Sequence, residues 1–488
     1  MSTAPAVKAG VPLAARAGLW AGLALFVLLL LLPLPMPETA RRTAAVAALM
    51  SVWWLTETIP LAATALLPLV LLPVLGVLSA ADAAAPYANP VVFLFLGGFV
   101  VATAMQRWGL HRRIALGIVA RAGTRPHMLV LGFMLATAFI SMWVSNTATA
   151  AMMVPIGIAL AELLRPQETD APFPFGTALM LGIAYAATIG GIATLIGTPP
   201  NAVFAAAARE IAGETVGFAE WLVIGLPIAL VLLPAAWALL VFVLYPSRAL
   251  PPGAEEMLTN ERRRLGPRTR PELVVAAVFA TMAVAWLLRD PKQIGGVTLP
   301  GIASFVPFVD DATIAIAGAV ALFLLPSGAG RPVLVWEDTR ELPWGVLILF
   351  GGGLSLARAF DESGLTAAVG DAVTALDALP LWLLIGAAVA LFILLSELAS
   401  NTAVAAMGMP VLAAAASGLG QDPIVFMAAG ALAASSAFML PVGTPPNAIV
   451  FGTGYVSMRQ MVRAGVWLNL LSVVVVTLIA LLLGPGLR

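Results

Sequence analysis

Long apolar runs, the first beginning at Ala14, follow one another along almost the whole chain, and none of them alternates in polarity. A spanning helix needs about 20 apolar residues at 1.5 Å rise each, whereas a spanning strand needs about 10 that alternate. The pattern therefore predicts a bundle of membrane helices. Composition agrees: 61% of the 488 residues are hydrophobic and 10% are charged, too few charges to cover a water-soluble chain of this size. A cytosolic enzyme, a secreted disulfide scaffold and a nucleic-acid binder are excluded. Cys is absent, so there is no disulfide or thiolate centre, and two histidines, His111 and His127, argue against a histidine metal site. The net charge of zero points to no particular partner.

Candidate spans lie at about 14–34, 43–58, 61–78, 90–115, 176–208, 218–245, 271–289, 312–326, 343–360, 423–453 and 462–485, with longer apolar stretches at 127–163 and 380–418. The first run follows Lys8 and Arg16 as a signal peptide would. It is too long and lacks a small-residue cleavage site, so it is expected to remain as a span. The two long stretches exceed one helix and carry polar residues midway. Each is either two spans or a hairpin that enters and leaves on one side. With a cytoplasmic N-terminus and both stretches re-entrant, 18 Lys and Arg fall inside and 6 outside, as the positive-inside rule expects. The arginine run at 262–264 is weighed as part of that signal ahead of an anionic-lipid contact. Segment 247–270, polar and proline-bearing, reads as a linker between halves.

The chain also repeats itself. Residues 139–156 (FISMWVSNTATAAMMVPI) and 394–411 (LLSELASNTAVAAMGMPV) match at 9 of 18 positions, at an offset of 255. The same offset aligns 95–110 with 350–365, and IGTPPNAV (196–203) matches VGTPPNAI (442–449). Five expected crossings separate the starts of the copies, and an odd number inverts the second. Inverted repeats with discontinuous helices are the signature of secondary transporters.

A Ser, Asn or Thr in a membrane helix is ordinarily interhelical glue. The same triplet twice, at Ser145-Asn146-Thr147 and Ser400-Asn401-Thr402, is not required by packing. A hairpin tip at mid-membrane must be buried in protein or line a water-filled cavity, and its helix ends offer N–H groups to anions and C=O groups to cations. In the two Gly-Thr-Pro-Pro-Asn motifs, paired prolines delete two amide donors and force a break, which frees carbonyls near Gly197 and Gly443. The alternative there is a mere kink. No Lys or Arg lies in these motifs, so an anion would rely on neutral donors, helix dipoles and bound cations. Two acids stand nearby. Glu57 follows Trp53-Trp54, and Glu397 replaces the Met142 of the first hairpin. Each is either a proton site or a packing or structural acid, and the lack of symmetry argues for a structural or modulatory role at Glu397. The Trp pair is expected to pack or to sit at an interface rather than bind substrate.

These residues resemble a known family. SMWVSNTATAAMM, SELASNTA, both GTPPNA copies and the early WWLTETIPLAATALLPLVLLPVLG are similar to the divalent anion/sodium symporters, the INDY-type dicarboxylate carriers, from about residue 43 to the C-terminus. The resemblance implies an all-α polytopic membrane protein with inverted repeats, about eleven transmembrane helices and two re-entrant hairpins. It implies a homodimer, with scaffold parts at 1–125 and 247–374 and elevator-type transport parts at 126–246 and 375–488. It implies one Na⁺ around Ser141, Ser145, Asn146 and Gly197, and a second around Ser396, Ala399, Asn401 and Gly443, with Ala399 and the glycines acting through backbone carbonyls. Substrate carboxylates would meet Asn146, Thr147, Thr198, Ser400, Asn401, Thr402, Thr444 and Pro445. Ser396 stands where some relatives carry Thr, which keeps the hydroxyl.

The expected function is Na⁺-coupled import of a small divalent anion such as succinate, malate or fumarate, across a plasma membrane (the inner membrane in a Gram-negative cell). Sulfate symport is the alternative, with Na⁺-independent exchange or a passive channel behind it. No Ser–His or paired-Asp constellation supports an intramembrane enzyme. Importing a dianion against an inside-negative potential costs roughly 4.6 kcal/mol per 100 mV, which two Na⁺ cancel.

Overall fold

The computed structural model describes residues 13–123, 125–165, 173–247, 253–294, 297–328 and 330–483. Lys8, Arg248 and Arg488, which enter the charge asymmetry, lie outside them. The described chain is helical apart from a small antiparallel pair, Lys292–Ile294 with Val297–Leu299. Nine of its helices are long and apolar enough to cross a membrane. Two of these, Asn146–Leu163 and Leu381–Leu398, are hairpin arms. The expected set of eleven spans is completed by Glu38–Thr56 and by the shorter apolar helices Leu61–Val74, Asp311–Leu324 and Pro423–Ala434.

Leu13–Leu31 packs against Glu38–Thr56 through small residues. A Cβ on Gly18 would collide with Thr56, and one on Gly22 would lie 2.6 Å from the indole of Trp53. Trp54 is fully buried and donates to the carbonyl of Leu61 at 3.1 Å, so the Trp pair packs, as expected.

The expected span at 90–115 is in fact two helices, Pro90–Arg107 and Leu110–Ala122. Gly109 turns the chain at φ 71, and the sequence changes there from apolar to His-Arg-Arg, which suits a membrane surface. The duplicate behaves alike. Gly364, at offset 255 and φ 79, separates Trp344–Glu362 from Leu365–Val373.

These arms show how the copies are related. Pro90–Arg107 and Trp344–Glu362 run antiparallel: Arg107 pairs with Asp338 just ahead of one, while Arg358 pairs with Asp82 (2.9 Å) just ahead of the other. Eighteen helical residues set these ends about 27 Å apart. Leu110–Ala122 leaves from the first end and Leu365–Val373 from the second, so the hairpins that follow enter from opposite ends.

Segment 247–270 is more than a linker. It carries the helix Ala254–Arg264, docked by Arg112–Glu261 (2.6 Å) on Leu110–Ala122, the arm that leaves the first copy, and followed by Arg113–Glu272 (3.0 Å). At the centre of the bundle lies Pro174–Ala193, whose residues from Phe175 on are all buried. A helix that is apolar all round belongs there.

Candidate functional site

Each copy supplies a hairpin and a broken helix. The first hairpin is Pro126–Ser141 and Asn146–Leu163, joined by residues 142–145; the second is Leu381–Leu398 and Asn401–Gly418, joined by Ala399 and Ser400. The first broken helix is Pro174–Ala193 and Pro199–Ala212, and the second is Pro423–Ala434 and Pro445–Phe451. The spans expected at 176–208 and 423–453 are therefore interrupted at their proline pairs. Thr198 and Thr444 take the same extended conformation, φ −142 and ψ 144, as each chain re-enters a helix.

All four elements meet at one cavity of about 780 Å³. Ser145, Asn146 and Thr147 line it from one hairpin, and Ser400, Asn401 and Thr402 from the other. Gly197, Thr198, Gly443, Thr444 and Pro445 line it from the breaks. Three expected site residues do not reach it. Ser141, bonded to Asn146, and Ser396 are wholly buried, and Ala399 is 4% exposed.

Electrostatics follow from the helix starts. Asn146–Leu163, Pro199–Ala212 and Asn401–Gly418 each aim an N-terminus at the cavity, where the aligned dipoles favour negative charge. The proline-led starts supply that field without free amides, because Pro199 and Pro200 carry no N–H. Ser145 accepts from the Ala148 amide at 3.4 Å, whereas Ser400 makes no cap bond, which leaves its hydroxyl for a ligand.

Not every carbonyl that the breaks release stays free. Asn201 is wholly buried and donates to the carbonyls of Thr194 (2.8 Å), Gly191 (3.2 Å) and Ile192 (3.4 Å). Trp221 also donates to Ile192, at 3.0 Å. Asn447 does the same work at the second break by donating to Leu440 at 3.1 Å. The Asn of each motif is thus a clamp that holds the break open, a role its place two residues after Thr-Pro already hinted at.

Glu397 belongs to the second break. Its carboxylate accepts from the amides of Phe438 (2.7 Å), Met439 (2.8 Å) and Leu440 (2.9 Å) and from Asn469 (2.7 Å). This fits the structural role expected of it. Glu57, at φ 46, lines the cavity together with Glu341, Gln106 and Thr103; both acids are exposed. No Lys or Arg is among the described lining residues.

The donor set suits a hard monovalent cation carried as cargo. Among the described residues, no group of three or more His, Cys, Asp and Glu could hold a metal ion, and the oxygens at the hairpin tips are hydroxyls and amides. Ser396 Oγ and Asn401 Oδ1 are buried with no hydrogen-bond partner, which costs free energy that a cation would return. At the first copy Ser141 donates to Asn146 Oδ1 at 2.7 Å.

The chain is similar to known proteins. The chain is 42% identical over 481 residues to the sodium-dependent dicarboxylate transporter SdcS of Staphylococcus saprophyticus, covering 96% of this chain and 91% of that one. It is 40% identical over 472 residues to SdcS of Staphylococcus aureus, covering 95% and 89%. Two solved structures share the fold: the YdaH transporter of Alcanivorax borkumensis (TM-score 0.59, 17% identity, 97% of this chain and 99% of that one) and MtrF of Neisseria gonorrhoeae (TM-score 0.55, 12% identity, 97% and 95%). The family profile described as the sodium:sulfate symporter transmembrane region matches residues 14–487. Two inverted hairpins and two clamped breaks around one basic-free cavity, in an all-α polytopic membrane protein, thus belong to a chain of the sodium:sulfate symporter family.

Proposed function

We propose that this chain is a Na⁺-coupled importer of small dicarboxylates of the succinate, malate and fumarate class. The observation that carries the proposal is the convergence of both Ser-Asn-Thr triplets and both Thr-Pro-Pro breaks on one cavity that has neutral donors and no Lys or Arg. A dianion there needs positive charge from elsewhere. The buried, unpartnered oxygens of Ser396 and Asn401 suit one Na⁺, and Ser141, Ser145, Asn146 and Gly197 suit another. Two cations neutralise the cargo and cancel its electrical cost of roughly 4.6 kcal/mol per 100 mV. The names of the Staphylococcus relatives support the same reading.

In this reading, Thr147, Thr198, Ser400, Thr402 and Thr444 meet carboxylate oxygens, one carboxylate toward each hairpin tip, with Asn146 and Asn401 shared between cation and anion. Segments 126–246 and 375–488 move as a transport unit against a scaffold of 1–125 and 247–374, in a homodimer of the plasma membrane with cytoplasmic N-termini. The test is uptake of labelled succinate into proteoliposomes under an imposed Na⁺ gradient. The expected result is saturable, concentrative, Na⁺-dependent uptake that malate and fumarate compete away. Uptake unaffected by removing Na⁺ would refute the coupling, and competition by sulfate in place of dicarboxylates would reassign the cargo.

A further inference from the structure

A second cavity, of about 980 Å³, lies away from the proposed transport site. It forms between the first arm, Leu110–Ala122, the docked segment around Ala254–Arg264, the start of Arg270–Leu287 and the outer face of the first hairpin. Its lining has two chemistries. Five arginines, Arg113, Arg121, Arg262, Arg263 and Arg268, stand along it against one carboxylate, Glu272, which Arg113 already neutralises at 3.0 Å. Below them the wall is apolar. Leu273, Ala276 and Phe279 follow at helical spacing on one side and Phe139 stands among the lining residues contributed by the hairpin. Leu273 is 51% and Phe139 41% exposed, so this wall is open.

The arginines divide by what they already hold. Arg113 donates to the carbonyls of Leu265 (3.2 Å) and Gly266 (3.1 Å), which fixes the linker over the cavity, yet its buried Nε has no acceptor. Arg121 donates to Gly117 at 2.6 Å. Arg262, Arg263 and Arg268 are exposed, and among the described residues their side chains make no ion pair or hydrogen bond. Their neighbour Arg264 differs: it pairs with Glu261 at 2.7 Å. A topology signal requires arginines on one side of the membrane. It does not require three unpaired ones facing the same cleft above an open apolar wall.

We propose that this groove binds one anionic phospholipid. Its phosphodiester sits among Arg262, Arg263 and Arg268, and its acyl chains run down Leu273 and Phe279. Both halves of the ligand are needed to explain the site. A soluble phosphate would have no use for the apolar wall, and a zwitterionic lipid would leave the excess guanidinium charge unmatched. Each basic residue near a lipid headgroup contributes about 1 kcal/mol, so three give a preference on the order of a hundredfold. Because Phe139 belongs to the first hairpin and Leu273 to the helix after the linker, the lipid touches both.

Exchange measured by native mass spectrometry on the purified full-length protein tests the proposal without using transport, so its failure and that of the carrier reading are separable. The probes are dioleoyl-phosphatidylglycerol and dioleoyl-phosphatidylcholine. The wild type is expected to retain phosphatidylglycerol in preference. The combined variant Arg262→Gln, Arg263→Gln, Arg268→Gln should lose that preference about a hundredfold at an unchanged melting temperature in phosphatidylcholine. If the triple variant fails to fold, Arg268→Gln alone is read in the same way, with a loss of about fivefold expected. Equal retention of the two lipids by the wild type, or undiminished preference in a folded variant, overturns the proposal. So does displacement of phosphatidylglycerol by inorganic phosphate alone, or a disulfide between two protomers through Arg263→Cys, which would make the groove a contact between copies.

Discussion

The Ser141 hydroxyl donates to the carboxamide oxygen of Asn146 at 2.7 Å, and the duplicate of that pair, Ser396 with Asn401, leaves both oxygens buried and unpartnered. Two halves with the same triplet thus hold their proposed cation ligands differently. In the first, a cation would share oxygens that already make a hydrogen bond to each other. In the second it fills an unmet need, since an orphaned buried oxygen costs about 1–3 kcal/mol.

This asymmetry separates two serine variants. Ser396→Ala removes an unpartnered oxygen, so the melting temperature in Na⁺-free buffer should hold while the Na⁺ concentration for half-maximal uptake rises about tenfold. Ser141→Ala should do that and also cost about 1 kcal/mol without Na⁺, because it orphans Asn146. Asn146→Ala and Asn401→Ala should weaken Na⁺ and succinate together. Thermal melts with and without Na⁺, alongside uptake, check all four. Wild-type sodium affinity in either Asn variant would remove these residues from the site.

Gly191 gives a test that substitutes none of the proposed site residues. A Cβ there would run into the Asn146 side chain, and nothing softer than that carboxamide is available to yield. Gly191→Ala should therefore displace Asn146 and raise the Na⁺ requirement several-fold. Gly109→Ala, with nothing within 4 Å of the added carbon, should cost about 1 kcal/mol of left-handed strain and leave Na⁺ affinity alone. Parallel Na⁺ titrations of the two variants distinguish displacement of a ligand from general loss of stability.

Glu397 separates structure from proton coupling. Its carboxylate takes three backbone amides and one side-chain amide, and hydrogen bonds to a charged group are worth about 1.5–3 kcal/mol each. Glu397→Gln turns one acceptor oxygen into a donor that faces an amide. A loss of about 3 kcal/mol is expected, seen as a lower melting temperature whether or not Na⁺ and succinate are present. An unchanged melting temperature with altered pH dependence of uptake would mean that Glu397 carries a proton instead.

The repeat made most of the site legible in the sequence. Ser-Asn-Thr and Thr-Pro-Pro recur because both ends of one cavity need the same parts, and two adjacent prolines interrupt a helix whatever surrounds them. What lay hidden was the fate of the freed backbone. Three carbonyls around Gly191 go to Asn201, and three amides around Met439 go to Glu397, partners 7 to 43 residues away whose meeting depends on packing. The arms were hidden for another reason. Leu110–Ala122 follows its span without a proline or a polar loop, and a single glycine at φ 71 decides that the chain turns there.

A tie between the two proposed moving parts lies at Arg289. Its guanidinium pairs with Asp311 at 2.9 Å, both side chains are under a tenth exposed, and Asp311 accepts from the amide of Phe218 at 2.7 Å, where Phe218–Ala238 begins. The Phe218 ring stacks on Trp286 on one side (4.9 Å) and on Trp143 at the first hairpin tip on the other (5.7 Å). The column therefore runs from the first hairpin tip to Trp286 in the segment assigned to the proposed scaffold. Arg289 also pairs with Asp290 and reaches Glu220 at 3.8 Å. Removing one member of a buried ion pair leaves its partner uncompensated, a cost of about 3–5 kcal/mol, and removing the Asp311 charge as well relieves the buried part of that cost while the more exposed Asp290 and Glu220 turn to solvent. Arg289→Met alone should lower the melting temperature sharply, and Arg289→Met with Asp311→Asn should recover much of the loss. If the pair also limits motion between the parts, the double variant should change the maximal uptake rate while the succinate concentration for half-maximal uptake stays within about twofold. Additive losses across the four proteins of this cycle would show that Arg289 and Asp311 act independently.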